Sequence, residues 1–280
     1  MSLVFAIEAL KFYRVRAERL LRFLFAAVLL LNLLFALLPP GSQDFTALVA
    51  WSERLLSQPL APAIGAAGPP ALSVGNLIYL GASLFLSGLN WIASVAYASC
   101  YSAEREGLSA EQGLARFFRR LPRILALFGL LIVPTILSSF LLLLPLLFLL
   151  LAIALAPMLM VDDGLKLAAA LETSIDRTRG KRGLIFLSFA LLAVLVSGSR
   201  SLLGGLVGRL GAALPVTMAF VTTLQTLMNG RLLGLIHRFA IVYPIGMPAR
   251  STSPEDALTV IRNITGRGPG ERDADYDDDD

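Results

Sequence analysis

The chain has 280 residues, 56% of them hydrophobic and only 16% charged, with a formal net charge of +4. So little polar surface excludes an ordinary soluble domain of this size, and the apolar residues are gathered into runs long enough to cross a bilayer. The single cysteine, Cys100, excludes an internal disulfide and a structural zinc site.

A bilayer core of roughly 30 Å takes about 20 helical residues. The chain opens with Leu3 to Leu21, where Leu3, Ile7, Leu10, Tyr13, Ala17 and Leu21 recur at threes and fours while Glu8, Lys11, Glu18, Arg19 and Arg22 take other faces. This pattern predicts a basic amphipathic helix lying in the headgroup region. Phe23 to Leu38 is the first predicted span, closed by Pro39, Pro40 and Gly41. Its exit, Ala36-Leu37-Leu38-Pro39, lacks small residues at the two cleavage positions, so it reads as a retained anchor and not a signal peptide. An external loop, 39–73, follows. Its centre sets Phe45, Leu48, Trp51, Leu55 and Leu56 near one helical face, as an interfacial lid would, and its Pro- and Ala-rich remainder reads as extended coil.

Val74 to Tyr97 is the second span. Ser109 is the expected N-cap of a second interfacial helix that carries Leu114, Phe117, Phe118 and Leu121 among arginines, with Pro122 expected to break it. From Ile124 to Val161 no charge occurs, a run about twice a bilayer, so the third and fourth spans fold back on each other with Pro145 as the expected turn. Asp162 and Asp163 are expected to cap a third interfacial helix through Leu167, Ala170, Leu171, Ser174 and Ile175, with Gly180 at its end. The fifth span runs from Leu184 to about Leu203 and the sixth from Gly211 to Leu233.

All but three of the 24 lysines and arginines then fall on one side. They are Lys11, Arg14, Arg16, Arg19 and Arg22; Arg105, Arg116, Arg119, Arg120 and Arg123; Lys166, Arg177, Arg179, Lys181 and Arg182; and Arg231, Arg238, Arg250, Arg262, Arg267 and Arg272. Arg54, Arg200 and Arg209 take the other side. Basic residues stay cytoplasmic in short loops. The expected architecture is therefore an all-α polytopic membrane bundle of six transmembrane helices with cytoplasmic amphipathic interfacial helices, both termini cytoplasmic, in a bacterial-type plasma (inner) membrane. Residues 1–245 form the transmembrane domain and 246–280 a cytoplasmic tail. From Glu271 onward seven acids stand against Arg272, a composition expected to be disordered and solvated.

Polar residues inside the spans are the expected seat of any function, because hydrocarbon penalises them unless they find partners. Ser83, Ser87, Asn90, Ser94, Tyr97 and Tyr101 form one stripe on the second span; Met218, Thr222, Gln225 and Asn229, with Thr226 alongside, form one on the sixth. The two stripes either wall a polar pathway or pocket, or join helices by hydrogen bonds, and Gly81 and Gly88 favour the second reading. Gly204 and Gly208 make a GxxxG pair at an external bend. His237, the only histidine, lies just past the sixth span beside Arg238, where a headgroup contact is expected. Asp162-Asp163-Gly164 resembles the start of the metal-binding motif of CDP-alcohol phosphotransferases, but Leu167 and Ala168 replace its Ala and Arg and its later aspartates are missing. No metal or cofactor is expected.

At Ala156-Pro157, Val161-Asp162-Asp163, Ala170-Leu171, Ser174 and Thr178-Arg179-Gly180 the chain resembles bacterial six-span proteins similar to the membrane domain of glycerophosphoryl diester phosphodiesterases. The resemblance covers about Leu80 to Pro244 and implies a helical membrane module acting as a scaffold or lipid-associated accessory. It transfers no catalytic residue. The expectation is thus a non-enzymatic accessory or scaffold whose basic face, through Arg16, Arg19, Arg22, Arg116, Arg119, Arg120, Arg179, Lys181 and Arg182, contacts anionic membrane lipids. A membrane protein partner or a second copy fits this reading; nucleic acid does not. The alternative is a small-molecule or lipid transporter using Ser83, Ser87, Asn90, Ser94, Thr222, Gln225 and Asn229.

Overall fold

The computed structural model describes residues 1–57, 70–139, 144–208, 213–243, 259–260 and 264. All its regular elements are helices: α1 (Ser2–Leu10), α2 (Glu18–Leu37), α3 (Thr46–Ser57), α4 (Val74–Arg105), α5 (Ala110–Ser139), α6 (Leu144–Ala152), α7 (Ala156–Val161), α8 (Leu167–Thr178), α9 (Arg182–Val207) and α10 (Ala213–Val242). Three of them, α2, α4 and α9, are long and apolar enough to cross a membrane. Only 11%, 17% and 22% of their most apolar windows is buried inside the protein, so most of that apolar surface faces outward, as lipid contact requires. The coil expected at 58–69, residues 140–143 ahead of the turn expected at Pro145, residues 209–212 and most of the tail lie outside the described residues.

α10 is the central element, packing against α1, α2, α4 and α9. Its pairing with α4 is close because Gly230 and Gly234 lie there: a Cβ on Gly230 would stand 2.5 Å from the Ser94 carbonyl oxygen, and one on Gly234 would stand 2.7 Å from Tyr101. Small residues four apart let membrane helices approach in this way. The pair predicted at Gly204 and Gly208 does not serve that role. Among the described residues, a Cβ at Gly208 would meet nothing within 4 Å, and one at Gly204 would meet only the end of Met218. At the other end of the α4 stripe Gly88 admits the Phe128 ring of α5, whereas Gly81 faces open space.

The N-terminal region departs from the single helix expected over Leu3 to Leu21. α1 stops at Leu10, and α2 begins only at Glu18. The face of α1 that packs inward carries Phe5, Ala6, Glu8 and Ala9, while Leu3, Ile7 and Tyr13 from the expected apolar face are exposed. The cause lies across the chain: Arg231 of α10 pairs with the Glu8 carboxylate at 2.9 Å, and its Nε and Nη1 donate to the carbonyls of Glu8 and Arg14. A buried guanidinium needs those acceptors, so it selects the face bearing Glu8. The start of α2 is held by Glu104 of α4, which accepts from the backbone N–H groups of Arg16 and Ala17 at 3.0 and 2.9 Å. That arrangement supplies an N-cap that Ala17 itself lacks.

Two local expectations change further along. Pro122 does not break the second basic helix; α5 continues through Pro122 and Pro134. Its packing on α4, where Gly113 meets Ser99 and Ile124 and Leu127 are buried, outweighs the hydrogen bond each proline removes. Ser109 does cap α5, exchanging bonds with Gln112 in a capping-box arrangement. Pro145 sits in the first turn of α6, where a missing N–H costs nothing.

Asp162 and Asp163 do not cap α8. Its N-cap is Lys166, and Asp162 closes α7 instead. Gly164, at φ +69°, turns the chain there, and Arg123 donates to the Gly164 and Leu165 carbonyls at 2.8 and 3.1 Å. Gly180 follows α8 at φ +77°, the left-handed conformation expected after a helix end.

Candidate functional site

The expected fourth span is two helices, α6 and α7, interrupted at Ile153–Leu155. A break exposes backbone groups that must be satisfied by the protein where water is absent. α8 supplies the repair: Ser174 Oγ donates to the Ala152 carbonyl at 2.9 Å and accepts from the Leu155 N–H at 3.2 Å, and Thr178 Oγ1 donates to the same carbonyl at 3.1 Å. Pro157 in the first turn of α7 fixes the restart.

A cavity of about 680 Å³ opens beside this break. One wall is apolar, built from Leu150 and Ile153 at the break, Leu127 and Leu131 of α5, and Phe186 and Phe189 of α9. The opposite wall is polar. It brings together six of the seven predicted stripe residues, Ser87, Asn90, Ser94, Thr222, Gln225 and Asn229. The exception is Ser83, which does not line the cavity and whose buried hydroxyl makes no hydrogen bond among the described residues.

The polar wall divides by hydrogen bonding. Asn90 exchanges amide bonds with Asn32 of α2, both at 3.0 Å, and accepts from Thr226 at 3.2 Å; Asn32 also donates to Thr223 at 3.3 Å. Ser94 donates to the Thr226 carbonyl at 2.8 Å. These groups join α2, α4 and α10. In contrast, Asn229 makes no side-chain hydrogen bond among the described residues, and Gln225 uses only its carbonyl oxygen, toward Arg200 at 3.5 Å. The Gln225 NH2 and both ends of the Asn229 amide remain available to an occupant.

Arg200 and Asn32 are the contributors that sequence reasoning missed. Arg200 is expected in an external loop, yet it lies within α9, half-buried, and donates to Thr222 Oγ1 at 2.9 Å. The signal for Asn32 was its isolation: it is the only polar residue between Phe23 and Leu38.

A second polar group is buried toward the other end of α10. His237 is fully buried, not at the headgroups, and its Nδ1 lies 3.4 Å from Asp162 Oδ2 without forming a hydrogen bond. Burial pushes the Asp162 carboxyl, on the turn after α7, up to about 7. Lys181, expected at the headgroups, is also buried, with its ammonium 5.8 Å from the Phe239 ring centroid, and that burial lowers its pKa. Of the remaining predicted headgroup residues, Arg16, Arg19, Arg22, Arg119 and Arg179 are exposed, whereas Arg116, Arg120 and Arg182 are half-buried. Arg116 pairs with Glu106 at 3.0 Å.

No family model, curated protein or solved structure matches this chain. The site's chemistry is therefore argued from its own geometry.

Proposed function

We propose that the protein is a non-enzymatic, six-span plasma-membrane protein, both termini cytoplasmic, that binds and moves a small amphiphile through the cavity between α4, α5–α7, α9 and α10. The observation that supports this most is the convergence of both polar stripes on one cavity facing a broken helix. Discontinuous helices beside a polar wall are a recurrent way to build a substrate site within a membrane bundle. A volume of this size lies within the range of ordinary ligand pockets, roughly 300–1,000 Å³. Its apolar wall suits a hydrocarbon chain, and the unfilled amides of Gln225 and Asn229 suit hydroxyl, ester or acid oxygens.

The test is native mass spectrometry of the purified protein with Gln225→Leu and Asn229→Leu beside it. A co-purified amphiphile lost from both variants is the expected result. Absence of any bound amphiphile from the parent protein, together with no uptake of a fluorescent monoacylglycerol, would remove this reading. Topology is tested separately, since Cys100 is buried and leaves a silent background for introduced cysteines. Probes at Ala115 and Ala169, both exposed, should label only from the cytoplasmic side.

A second reading is the scaffold whose basic face holds anionic lipid, favoured by the exposed Arg16, Arg19, Arg22, Arg119 and Arg179. It predicts that replacing Arg16, Arg19 and Arg22 by Gln lowers retention of anionic lipid at low salt. Each such charge contributes about 1 kcal/mol near the surface. Unchanged lipid retention in that triple variant would remove the scaffold reading.

A further inference from the structure

Among the described residues, Arg200 is the charged residue that hydrogen-bonds to the polar lining of the cavity. Its Nη2 reaches Thr222 Oγ1 at 2.9 Å and Gln225 Oε1 at 3.5 Å, both neutral acceptors on residues that line the cavity. Its Nε is buried with no hydrogen bond, and among the described residues no carboxylate pairs with it. The contrast with Arg231 is direct, because that guanidinium has a carboxylate at 2.9 Å and two backbone carbonyls. An arginine within an apolar span is costly unless a counter-charge or a full set of acceptors meets it. Arg200 has the neutral acceptors and lacks the anion.

The cavity also limits the size of its occupant. At about 30 Å³ for each water-sized group, 680 Å³ holds on the order of twenty non-hydrogen atoms, the scale of one hydrocarbon chain with a small head. Leu150, Ile153, Phe186 and Phe189 supply apolar lining, and Arg200 reaches the lining at Thr222 and Gln225. We infer that the ligand is a single-chain amphiphile with an anionic head, a carboxylate or a phosphate monoester, whose charge is met by Arg200 at the Thr222–Gln225 end of the cavity. This rests on the amphiphile-binding reading above and specifies its ligand.

The experiment measures binding of four probes to the full chain in neutral detergent: a fatty acid, a lysophosphatidate, a monoacylglycerol of the same chain length, and a two-chain phosphatidate. The fatty acid or the lysophosphatidate should bind on the order of tenfold more tightly than the monoacylglycerol, as a charge-assisted hydrogen bond provides. The tighter of the two names the source of the anion. R200Q should remove that preference, with an unchanged helical circular-dichroism signal and elution volume showing that the variant is folded, and R200K should keep much of it. Equal binding of charged and neutral probes, or a preference that survives R200Q, overturns this inference and leaves the parent reading standing. Equally tight phosphatidate binding overturns the single-chain assignment. Failure of every probe on the parent protein removes both readings together. Should R200Q lose the monoacylglycerol as well, R200K decides: a retained anionic preference supports the inference and a lost one overturns it.

Discussion

The two sides of α10 use similar residues to opposite ends. On the side facing α1, α2 and α4, the groups that join the helices have met their complements: Arg231 with Glu8, Asn90 with Asn32, and Thr226 with Asn90, while the buried Tyr101 hydroxyl is left without a hydrogen bond among the described residues. On the side facing α9 and the broken α6–α7 segment, Asn229 and the Gln225 NH2 have none among the described residues, and Arg200 has no anion. Polar residues in membrane helices are thus not uniform in meaning. What separates adhesive groups from binding groups is whether the neighbouring helix completes their hydrogen bonds.

That contrast can be broken by substitution, and the largest effect is expected on the closed side. Glu8→Ala leaves the Arg231 charge uncompensated in the interior and should cost about 3–5 kcal/mol. This is measurable as the denaturant needed to unfold the protein in mixed micelles. Replacing both partners by apolar residues, Glu8→Leu with Arg231→Met, should recover most of that loss. Gly230→Ala comes next, at about 1–3 kcal/mol, because the added methyl would overlap the Ser94 carbonyl and force α4 and α10 apart. Gly205→Ala is its control, since nothing lies within 4 Å, and should be neutral or slightly stabilising.

A smaller loss, roughly 0.6–2 kcal/mol, is expected for Asn32→Leu, which removes the bonds from α2 to Asn90 and Thr223. Asn229→Leu should leave unfolding unchanged and abolish amphiphile binding. If the two asparagine variants behaved alike in both assays, the distinction between the sides of α10 would fail.

The smallest effect concerns pH. Burial pushes the folded Asp162 carboxyl up to about 7 from its ordinary 3.8, so between these values the folded protein holds a proton that the unfolded chain has released. Its contribution to stability is complete below about 3.8 and is lost as pH rises through about 7. Melting midpoints recorded across that window should fall more steeply with pH in the parent protein than in Asp162→Asn.

Much of the architecture was legible because it depends on properties with a long reach along the chain. Apolar runs located α2, α4 and α9, and Gly180 and the Ser109–Gln112 spacing marked helix ends. The stripes at threes and fours brought six of their seven residues to one cavity. The misses share a physical cause, namely a partner distant in sequence. Nothing local to α1 reveals that Arg231 will choose the Glu8 face, and nothing near Pro122 reveals that packing on α4 will carry the helix through it. Likewise, Ser174 reads as part of an amphipathic pattern and Thr178 as part of a helix exit, whereas their hydroxyls mend a break 19 to 26 residues upstream. Arg200, near the outer end of the expected fifth span, counts with the external charges in the sequence, whereas in α9, which continues to Val207, it reaches Thr222 of α10.

The Glu8–Arg231 pair joins groups 223 positions apart. A ribosome adding about 5–20 residues per second needs roughly 10–45 s to cover that interval, during which α1 has been made and its acceptor helix has not. Until α10 emerges, Glu8 has no guanidinium to meet, and the inward face of α1 has only α9 to pack against. α1 is therefore made long before it is fully seated, and a nascent chain halted before Arg231 should leave α1 more accessible to protease or chemical label, giving a time stamp for the completion of the bundle.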